Sequence, residues 1–238
     1  MEAAPRLWLF DIDGTLVTQS ADQLDAWVAV FREVYALAVT PPVIAPHLGQ
    51  MFANVVQGVV TAHGGHAPPS SVPRALAVYL AHVRRGLALR PPALLPGARD
   101  CLEFLKRRGG WVGVVTGNFR EEGEPKLQAS GLPSLLDVVI YANLATPTRE
   151  ALVRQAAQAV RVRGFAGTLA ETIVVGDSAH DVASARGTGA LAVAVCTGAT
   201  PRDRLAAAGP DLLVSDLTEL LAKLRQQEAP WLESARLA

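Results

Sequence analysis

The chain is poor in cysteine and has no excess of charge of either sign. Its two cysteines, Cys101 and Cys196, lack the spacing of a zinc site or a redox motif, so we expect a reduced, cytoplasmic setting. Lys plus Arg and Asp plus Glu each total 22, which leaves no net field to attract nucleic acid or an acidic membrane surface. Any electrostatic selectivity must therefore be local.

The N-terminal region also lacks a long apolar run. Residues 7–10 are apolar, but Asp11 ends this run, which is too short for a signal peptide or a membrane span. The histidines His47, His63 and His66 lack the spacing of a metal site, so we interpret them as loop or surface residues. These absences argue against nucleic-acid and membrane partners and leave the cytoplasm as the default location.

Three short apolar runs predict strands that are buried on both faces. They are residues 7–10, 111–115 and 172–175. Helix-like stretches at 98–108 and 148–162 lie between them, and this alternation predicts an α/β fold with a mainly parallel sheet flanked by helices. Further strands are predicted at 137–141, 191–195 and 211–214, and further helices at 121–130, 179–187, 201–208 and 216–227. Ligands of such sheets bind beyond the carboxyl ends of the strands.

After the first strand the alternation stops, and apolar residues recur at helical spacing in three segments. These segments are residues 24–35, 48–59 and 75–87. We predict three helices here, with Pro41 and Pro42 as a break between the first two. The predicted organisation is a helical cap at 18–92, inserted into an α/β core made of 1–17 and 93–238.

Polar motifs follow the predicted strands. They are Asp11-Ile12-Asp13-Gly14-Thr15, Thr116-Gly117-Asn118 and Gly176-Asp177-Ser178-Ala179-His180-Asp181. These motifs resemble those of the haloacid dehalogenase-like hydrolase superfamily, and within it the phosphoglycolate-phosphatase-like branch. The likeness extends over residues 6 to about 220 and is weak in 18–95. The resemblance implies a Rossmann-like catalytic core, a cap that closes over the active site and, as in most members, magnesium-dependent phosphatase activity.

The carboxylates of these motifs suit the hydrolysis of phosphate esters. Such a reaction needs a cation to offset charge and a nucleophile in line, and a carboxylate can attack to form an aspartyl-phosphate. Asp11 is the candidate nucleophile, and the resemblance assigns this role to the first Asp of its motif. Asp13 is the candidate general acid and base, with its backbone carbonyl as a metal ligand.

Magnesium binding is predicted at the same acids. Mg²⁺ prefers oxygen ligands and commonly binds one or two carboxylates together with substrate phosphate. Asp11 and Asp177 meet this requirement, beside the Asp13 carbonyl. Asp181 begins the next predicted helix, where it either contributes to the metal site, directly or through water, or only caps the helix.

Thr116, Gly117 and Asn118 are candidates for binding the substrate phosphate, because a hydroxyl and free backbone amides can hold phosphoryl oxygens. The superfamily also has a basic residue, usually Lys, that offsets phosphoryl charge, but no Lys-Pro pair occurs here. Arg149, after the third core strand, is the preferred candidate, and its guanidinium can bind two phosphate oxygens. Lys126, in the preceding crossover helix, is the rival candidate. The alternative for Lys126 is that it lies on a solvent-exposed helix face and has no role in the site.

The predicted activity is hydrolysis of small phosphorylated molecules, with phosphoglycolate as the substrate that the resemblance implies. A sugar-phosphate mutase of the same fold stays open, because it differs chiefly in where the phosphoryl group goes. A non-catalytic phosphate-binding protein also stays open, because Gly49-Gln50-Met51-Phe52 is mostly apolar where the related branch often carries polar residues. A monomer and a homodimer are both compatible with the sequence.

Overall fold

A parallel sheet organises the chain, whose computed structural model describes residues 6–20 and 22–226. Within these residues the sheet has six strands in the order β3-β2-β1-β4-β5-β6, and all neighbours are parallel. The strands are β1 Leu7–Phe10, β2 Trp111–Phe119, β3 Val138–Ala142, β4 Thr172–Gly176, β5 Leu191–Val195 and β6 Leu212–Val214. The predicted α/β fold with a parallel sheet is confirmed.

Helices pack on both faces of this sheet. They are α5 Ala98–Arg107, α6 Arg120–Ser130, α7 Arg149–Arg161, α8 Ala179–Thr188, α9 Arg202–Ala207 and α10 Leu217–Arg225. Alternate residues of β1 enter two different buried clusters, because successive side chains of a strand point to opposite faces. Trp8 and Phe10 pack with residues of α5 and α10, whereas Leu7 and Leu9 pack with residues of α7 and α8. The central strand is therefore covered on both sides.

Two of the differences from the sequence prediction concern residues that favour turns. Thr116 was expected to end a strand, but it lies inside β2, which shifts register after Thr116 and pairs again at Phe119 with Ala142. Pairing with a neighbouring strand thus extends β2 through residues that locally favour a turn. Pro41 and Pro42 were expected only to separate helices, but they begin a short helix, because the fixed φ of proline suits a first helical turn.

Residues 18–92, between β1 and α5, are here called the helical insert. Its helices are α1 Asp22–Tyr35, α2 Pro41–Ile44, α3 Phe52–Ala62 and α4 Val72–Leu89. The predicted second helix began too early, since Leu48 precedes α3. Trp27 packs between Phe52 and Tyr79, with ring centroids 4.7 and 4.8 Å apart. Trp27 thus belongs to the apolar core of the insert.

The division into a cap at 18–92 and a core of 1–17 and 93–238 stays a prediction, and residues 1–5, 21 and 227–238 lie outside the described part of the chain. Within that part, none of the helices combines the length and the apolar character that crossing a membrane requires.

Candidate active site

The carboxyl ends of β1, β2 and β4 meet at one edge of the sheet. β1 lies between the other two strands, with Phe10 level with Val114 on one side and with Val175 on the other. Asp11 directly follows β1, and Asp177 directly follows β4. Because the strands are parallel and in this register, both acids lie at the same edge, where α/β proteins bind their ligands.

Three buried carboxylates converge there. Oxygen atoms of Asp11, Asp177 and Asp181 all lie within 4.8 Å of one another. Burial, followed by repulsion from Asp181, raises the pKa of Asp11 to about 7, although Arg149 opposes this shift. Burial and repulsion from Asp181 and Asp11 also raise the pKa of Asp177 well above its ordinary range. The cluster therefore carries more negative charge than the surrounding protein compensates.

The donor set of this cluster fits a hard divalent cation. Asp11 Oδ1 is buried, and no donor within residues 6–20 and 22–226 makes a hydrogen bond to it. A buried carboxylate oxygen without a partner costs free energy, which a bound cation would offset. All the side-chain donors in the cluster are carboxylate oxygens, the ligands that Mg²⁺ prefers. The residues present thus fit the metal that the sequence predicts.

Two glycines allow the backbone to approach Asp177 closely. Gly14 has a φ of +73°, and a Cβ at that position would lie 2.7 Å from Asp177 Oδ2. Both its conformation and its surroundings therefore require glycine. Gly198 packs against the same carboxylate so closely that any Cβ would overlap it. The hydroxyl of Thr197 donates to the Gly14 carbonyl and joins the two loops. Gly198 and Thr197 were not among the site residues predicted from the sequence.

Asp181 caps helix α8 and also faces the acid cluster. Its Oδ2 accepts hydrogen bonds from the backbone N–H and the hydroxyl of Ser178, which together form a capping box. Its Oδ1 contacts the guanidinium of Arg149. The capping alternative is thus observed, and the contribution of Asp181 to a metal site stays a prediction.

Arg149, the preferred basic candidate, begins α7 beside the acid cluster. The side chain of Thr148 caps this helix and fixes where it starts. The guanidinium contacts Asp181, lies 3.9 Å from Asp11 Oδ2 and donates to the Gly49 carbonyl at 3.0 Å. Arg149 therefore lies close to the candidate nucleophile and contacts the helical insert at Gly49.

Lys126, the rival candidate, is fully buried and does not lie on a solvent-exposed helix face. Its Nζ donates to Asp13 Oδ1 at 2.8 Å, to Asp13 Oδ2 at 2.7 Å and to Glu122 Oε1 at 2.8 Å. Burial alone would lower the pKa of Lys126, but the two carboxylates outweigh burial and raise it. Lys126 is therefore a charged group in direct contact with the candidate general acid and base.

A buried polar chain continues from Lys126 to the helical insert. Glu122 Oε1 accepts hydrogen bonds from the Tyr79 hydroxyl and from Gln23 Nε2, each at 3.3 Å. Tyr79 lies in α4 and Gln23 in α1. Burial raises the pKa of Glu122, although Lys126 opposes the shift. Glu122 was not among the residues predicted from the sequence, although its four-residue spacing from Lys126 on one helix is typical of an ion pair.

The phosphate-binding candidates lie at the irregular end of β2. Asn118 Nδ2 donates to Asp13 Oδ2 at 2.7 Å, and its backbone N–H donates to Thr116 Oγ1 at 3.2 Å. Thr116, Gly117 and Asn118 line the same cleft as Asp11 and Asp13. This cleft has a volume of about 1090 Å³ and is lined by the sheet edge and the helical insert. The structure thus brings the predicted site residues together, while their roles stay predictions.

Comparison with known proteins agrees with this architecture. A phosphoglycolate phosphatase from Synechococcus elongatus is 33% identical over 92% of this chain and 98% of its own length. A validoxylamine A 7′-phosphate phosphatase from Streptomyces hygroscopicus subsp. limoneus is 29% identical over 89% of this chain and 94% of its own. The crystal structure of a hydrolase from Pseudomonas syringae matches with a TM-score of 0.80 and 20% identity, over 93% of this chain and 98% of that one.

The family model for haloacid dehalogenase-like hydrolases matches residues 5–189. This match covers most of the chain and includes the motifs at Asp11, Thr116 and Asp177. The sequence prediction of a phosphatase with this fold is confirmed by the family and by the relatives. The chain therefore belongs to the haloacid dehalogenase-like hydrolase family.

Proposed function

We propose that this phosphatase hydrolyses small phosphate monoesters with the help of Mg²⁺, through an aspartyl-phosphate on Asp11. The observation that carries the proposal is the convergence of buried carboxylates from Asp11, Asp177 and Asp181 within 4.8 Å. Clustered buried acids are costly without a cation, and packing does not require them. A metal ion and a phosphate ester are the ligands that would make this arrangement favourable.

Asp11 and Asp177 would bind the ion directly, together with the backbone carbonyl of Asp13, while Asp181 would bind it directly or through water. Bound Mg²⁺ supplies positive charge that offsets the charge of the phosphoryl oxygens. The glycines that bring backbone close to Asp177 support this role, because they leave its carboxylate fixed in place.

Asp11 would attack phosphorus in line with the leaving oxygen and hold the phosphoryl group as an acyl phosphate. Asp13 would protonate the leaving oxygen in this step. It would then accept a proton from the water that hydrolyses the acyl phosphate. The contacts of the Asp13 carboxylate with Asn118 and Lys126, at 2.7–2.8 Å, support this role because they hold the carboxylate in one orientation.

The phosphoryl oxygens would meet the Thr116 hydroxyl, the Gly117 backbone N–H and the Arg149 guanidinium. The side chain of Asn118 is already engaged with Asp13, so we propose that it positions this carboxylate. Two cations would thus have separate roles: the partly buried Arg149 would offset charge beside Asp11, and the buried Lys126 would hold Asp13.

Arg149→Ala is expected to lower kcat/KM by about 10²–10³-fold, because charge on the transferring phosphoryl group would lose its nearest guanidinium. Arg154→Ala is the matched control, since Arg154 is an exposed residue of the same helix. Steady-state rates of phosphate release from a generic substrate measure both. Equal and small losses in the two variants would mean that Arg149 does not act on the phosphoryl group.

The proposed function is tested by screening phosphorylated metabolites for release of free phosphate. We expect turnover with Mg²⁺, a loss of at least about 10²-fold in EDTA, and recovery when Mg²⁺ is restored. Undiminished hydrolysis in EDTA would contradict the magnesium site. Conversion of a sugar phosphate to its isomer without phosphate release would instead identify a mutase.

The names of the relatives do not identify the leaving group of the substrate of this chain, because they refer to different substrates. One is named for phosphoglycolate and another for validoxylamine A 7′-phosphate. We therefore propose the reaction at the phosphoryl group for this chain, and the nature of the alcohol must be argued from its own cleft.

A further inference from the structure

The cleft is larger than a two-carbon substrate requires. Its volume is about 1090 Å³, and clefts of roughly 300–1,000 Å³ hold drug-sized ligands. The phosphoryl group of a substrate attacked by Asp11 would occupy only the part of this space next to Asp11. The rest is available to the leaving group, so the walls beyond the sheet edge determine which alcohols bind well.

One wall is apolar and is built mainly by the helical insert. Its lining residues are Leu24, Trp27, Leu48, Phe52, Tyr79 and Phe119. The rings of Trp27, Phe52 and Tyr79 pack on one another, and all are buried. Mutual packing fixes these rings before any ligand binds, so the wall is a preformed surface for an apolar group.

A second apolar wall comes from the sheet side, in the segment that follows β5 and includes α9. It is lined by Ala199, Pro201, Ala207 and Ala208, together with Thr200 and Arg204. The three alanines and the proline have short side chains without hydrogen-bonding groups. An apolar leaving group placed between the two walls would be removed from water on both of its faces.

The cleft offers little positive charge for a second anionic group. Among the described residues, Arg149 and Arg204 are the arginines that line it, and no arginine of the helical insert does so. Arg149 is engaged with the carboxylates of Asp181 and Asp11, and Arg204 is exposed to solvent.

The polar groups of the insert that line the cleft are neutral and include the amides of Gln19 and Gln50. Amides can bind hydroxyl groups, but they do not compensate the charge of a carboxylate. The carboxylate of Glu122 also lines the cleft and would repel a carboxylate on the leaving group. An alcohol with its own negative charge, such as glycolate, is therefore poorly matched to these surroundings.

We propose that the preferred substrate is the phosphate monoester of a neutral, ring-containing alcohol whose ring lies between the two apolar walls. This inference rests on the proposed phosphatase function. It assigns the selectivity for the alcohol to the helical insert and the segment after β5, and it leaves the chemistry at phosphorus unchanged.

The test compares four phosphates of primary alcohols at saturating Mg²⁺, so that the leaving oxygens are chemically similar. Phosphoglycolate is small and anionic, and 2-hydroxyethyl phosphate is its neutral counterpart. Benzyl and 2-naphthylmethyl phosphates have leaving alcohols that are neutral and carry rings. We expect kcat/KM for 2-naphthylmethyl phosphate to exceed that for 2-hydroxyethyl phosphate by about tenfold or more. Phosphoglycolate should be no better than 2-hydroxyethyl phosphate.

A pair of variants at Leu48 tests where the leaving group lies, since Leu48 is half-buried and lines the apolar wall. Leu48→Arg adds a cation to this wall, and Leu48→Met is the control of similar volume. We expect the ratio of kcat/KM for phosphoglycolate over 2-naphthylmethyl phosphate to be about tenfold higher in Leu48→Arg than in Leu48→Met. An equal ratio in the two variants would overturn this placement of the ring.

The outcomes separate this inference from the proposed function. If the folded protein with Mg²⁺ hydrolyses none of the four esters or any other phosphorylated metabolite, the proposed function fails. If it hydrolyses phosphoglycolate best and Arg204→Ala lowers that rate, the phosphatase function stands and the neutral-alcohol inference is overturned.

Discussion

Replacing Asp11 by asparagine is expected to lower kcat by about 10⁴-fold or more, because the amide does not accept the phosphoryl group. Mg²⁺ and inorganic phosphate should still bind, although more weakly, since Asp177 and Arg149 remain at the site. Phosphate release measures the first effect, and calorimetric titration with Mg²⁺ and phosphate measures the second. The combination would show that the variant lost the chemical step and kept the binding site.

The same variant should be more stable than the wild type when metal is removed. Burial and the Asp181 carboxylate raise the pKa of Asp11 from 3.8 to about 7. Between these values the folded protein binds a proton that the unfolded chain has released, so the free energy of unfolding falls as pH rises. Asparagine at position 11 carries no charge and avoids this loss. In EDTA above about pH 7, we expect a higher melting temperature for Asp11→Asn.

Asp25→Asn is the matched control, because Asp25 is exposed on α1. It should leave the rate of phosphate release unchanged. An Asp11→Asn protein that hydrolyses an aryl phosphate at the wild-type rate would remove Asp11 from the role of nucleophile. A loss of activity accompanied by a lower melting temperature in EDTA would indicate damage to the fold.

Lys126→Met is expected to lower the free energy of unfolding by about 3–5 kcal/mol near neutral pH, because it leaves the buried carboxylate of Glu122 and the partly buried carboxylate of Asp13 without their cation. Lys126 is fully buried, and its Nζ contacts both Asp13 and Glu122. The variant should also lose most of its activity, since Asp13 would lose the contact that orients it. Urea denaturation followed by circular dichroism measures the stability, and phosphate release measures the activity.

Two further variants identify the cause of this loss. Lys106→Met is the control, because Lys106 pairs with Asp137 at 2.7 Å on a partly exposed surface and should cost about 1 kcal/mol or less. The double variant Lys126→Met, Glu122→Gln should regain part of the stability but not the activity. The amide oxygen introduced at position 122 can still accept from Tyr79 and Gln23, while Asp13 stays without its ammonium partner. Equal stability of Lys126→Met and Lys106→Met would contradict a buried ionic core.

The sequence predicted the elements that place the acids. Short apolar runs before Asp11 and Asp177 indicated buried strands, and in a parallel sheet the residue after each strand lies at a shared edge. Local pattern was enough for these acids because their place at the edge depends on where each strand ends, and the apolar runs indicated those ends. It was less reliable at Thr116, where pairing of β2 with β3 extends the strand through residues with low strand propensity.

The surroundings of Lys126 could not be predicted from its local sequence. Whether its side of α6 faces inward depends on Asp13 in the core and, through Glu122, on Tyr79 and Gln23 in the helical insert. These partners are distant in the chain. The packing of Gly198 on Asp177 is likewise a tertiary contact, between two loops that are separated in the chain. The local sequence therefore predicted where the acids lie, but it did not predict the distant residues that pack against Asp177 and surround Lys126.

The central claim is that Asp11 becomes covalently phosphorylated, and chemical trapping tests it most directly. The protein is quenched in acid during turnover with Mg²⁺ and then treated with borohydride, which reduces an acyl phosphate to an alcohol. Peptide mass spectrometry then locates the modified residue. We predict homoserine at position 11 in the wild type and no trapped residue in Asp11→Asn. Reduction at Asp13, Asp177 or another residue, with Asp11 unmodified, would contradict the account.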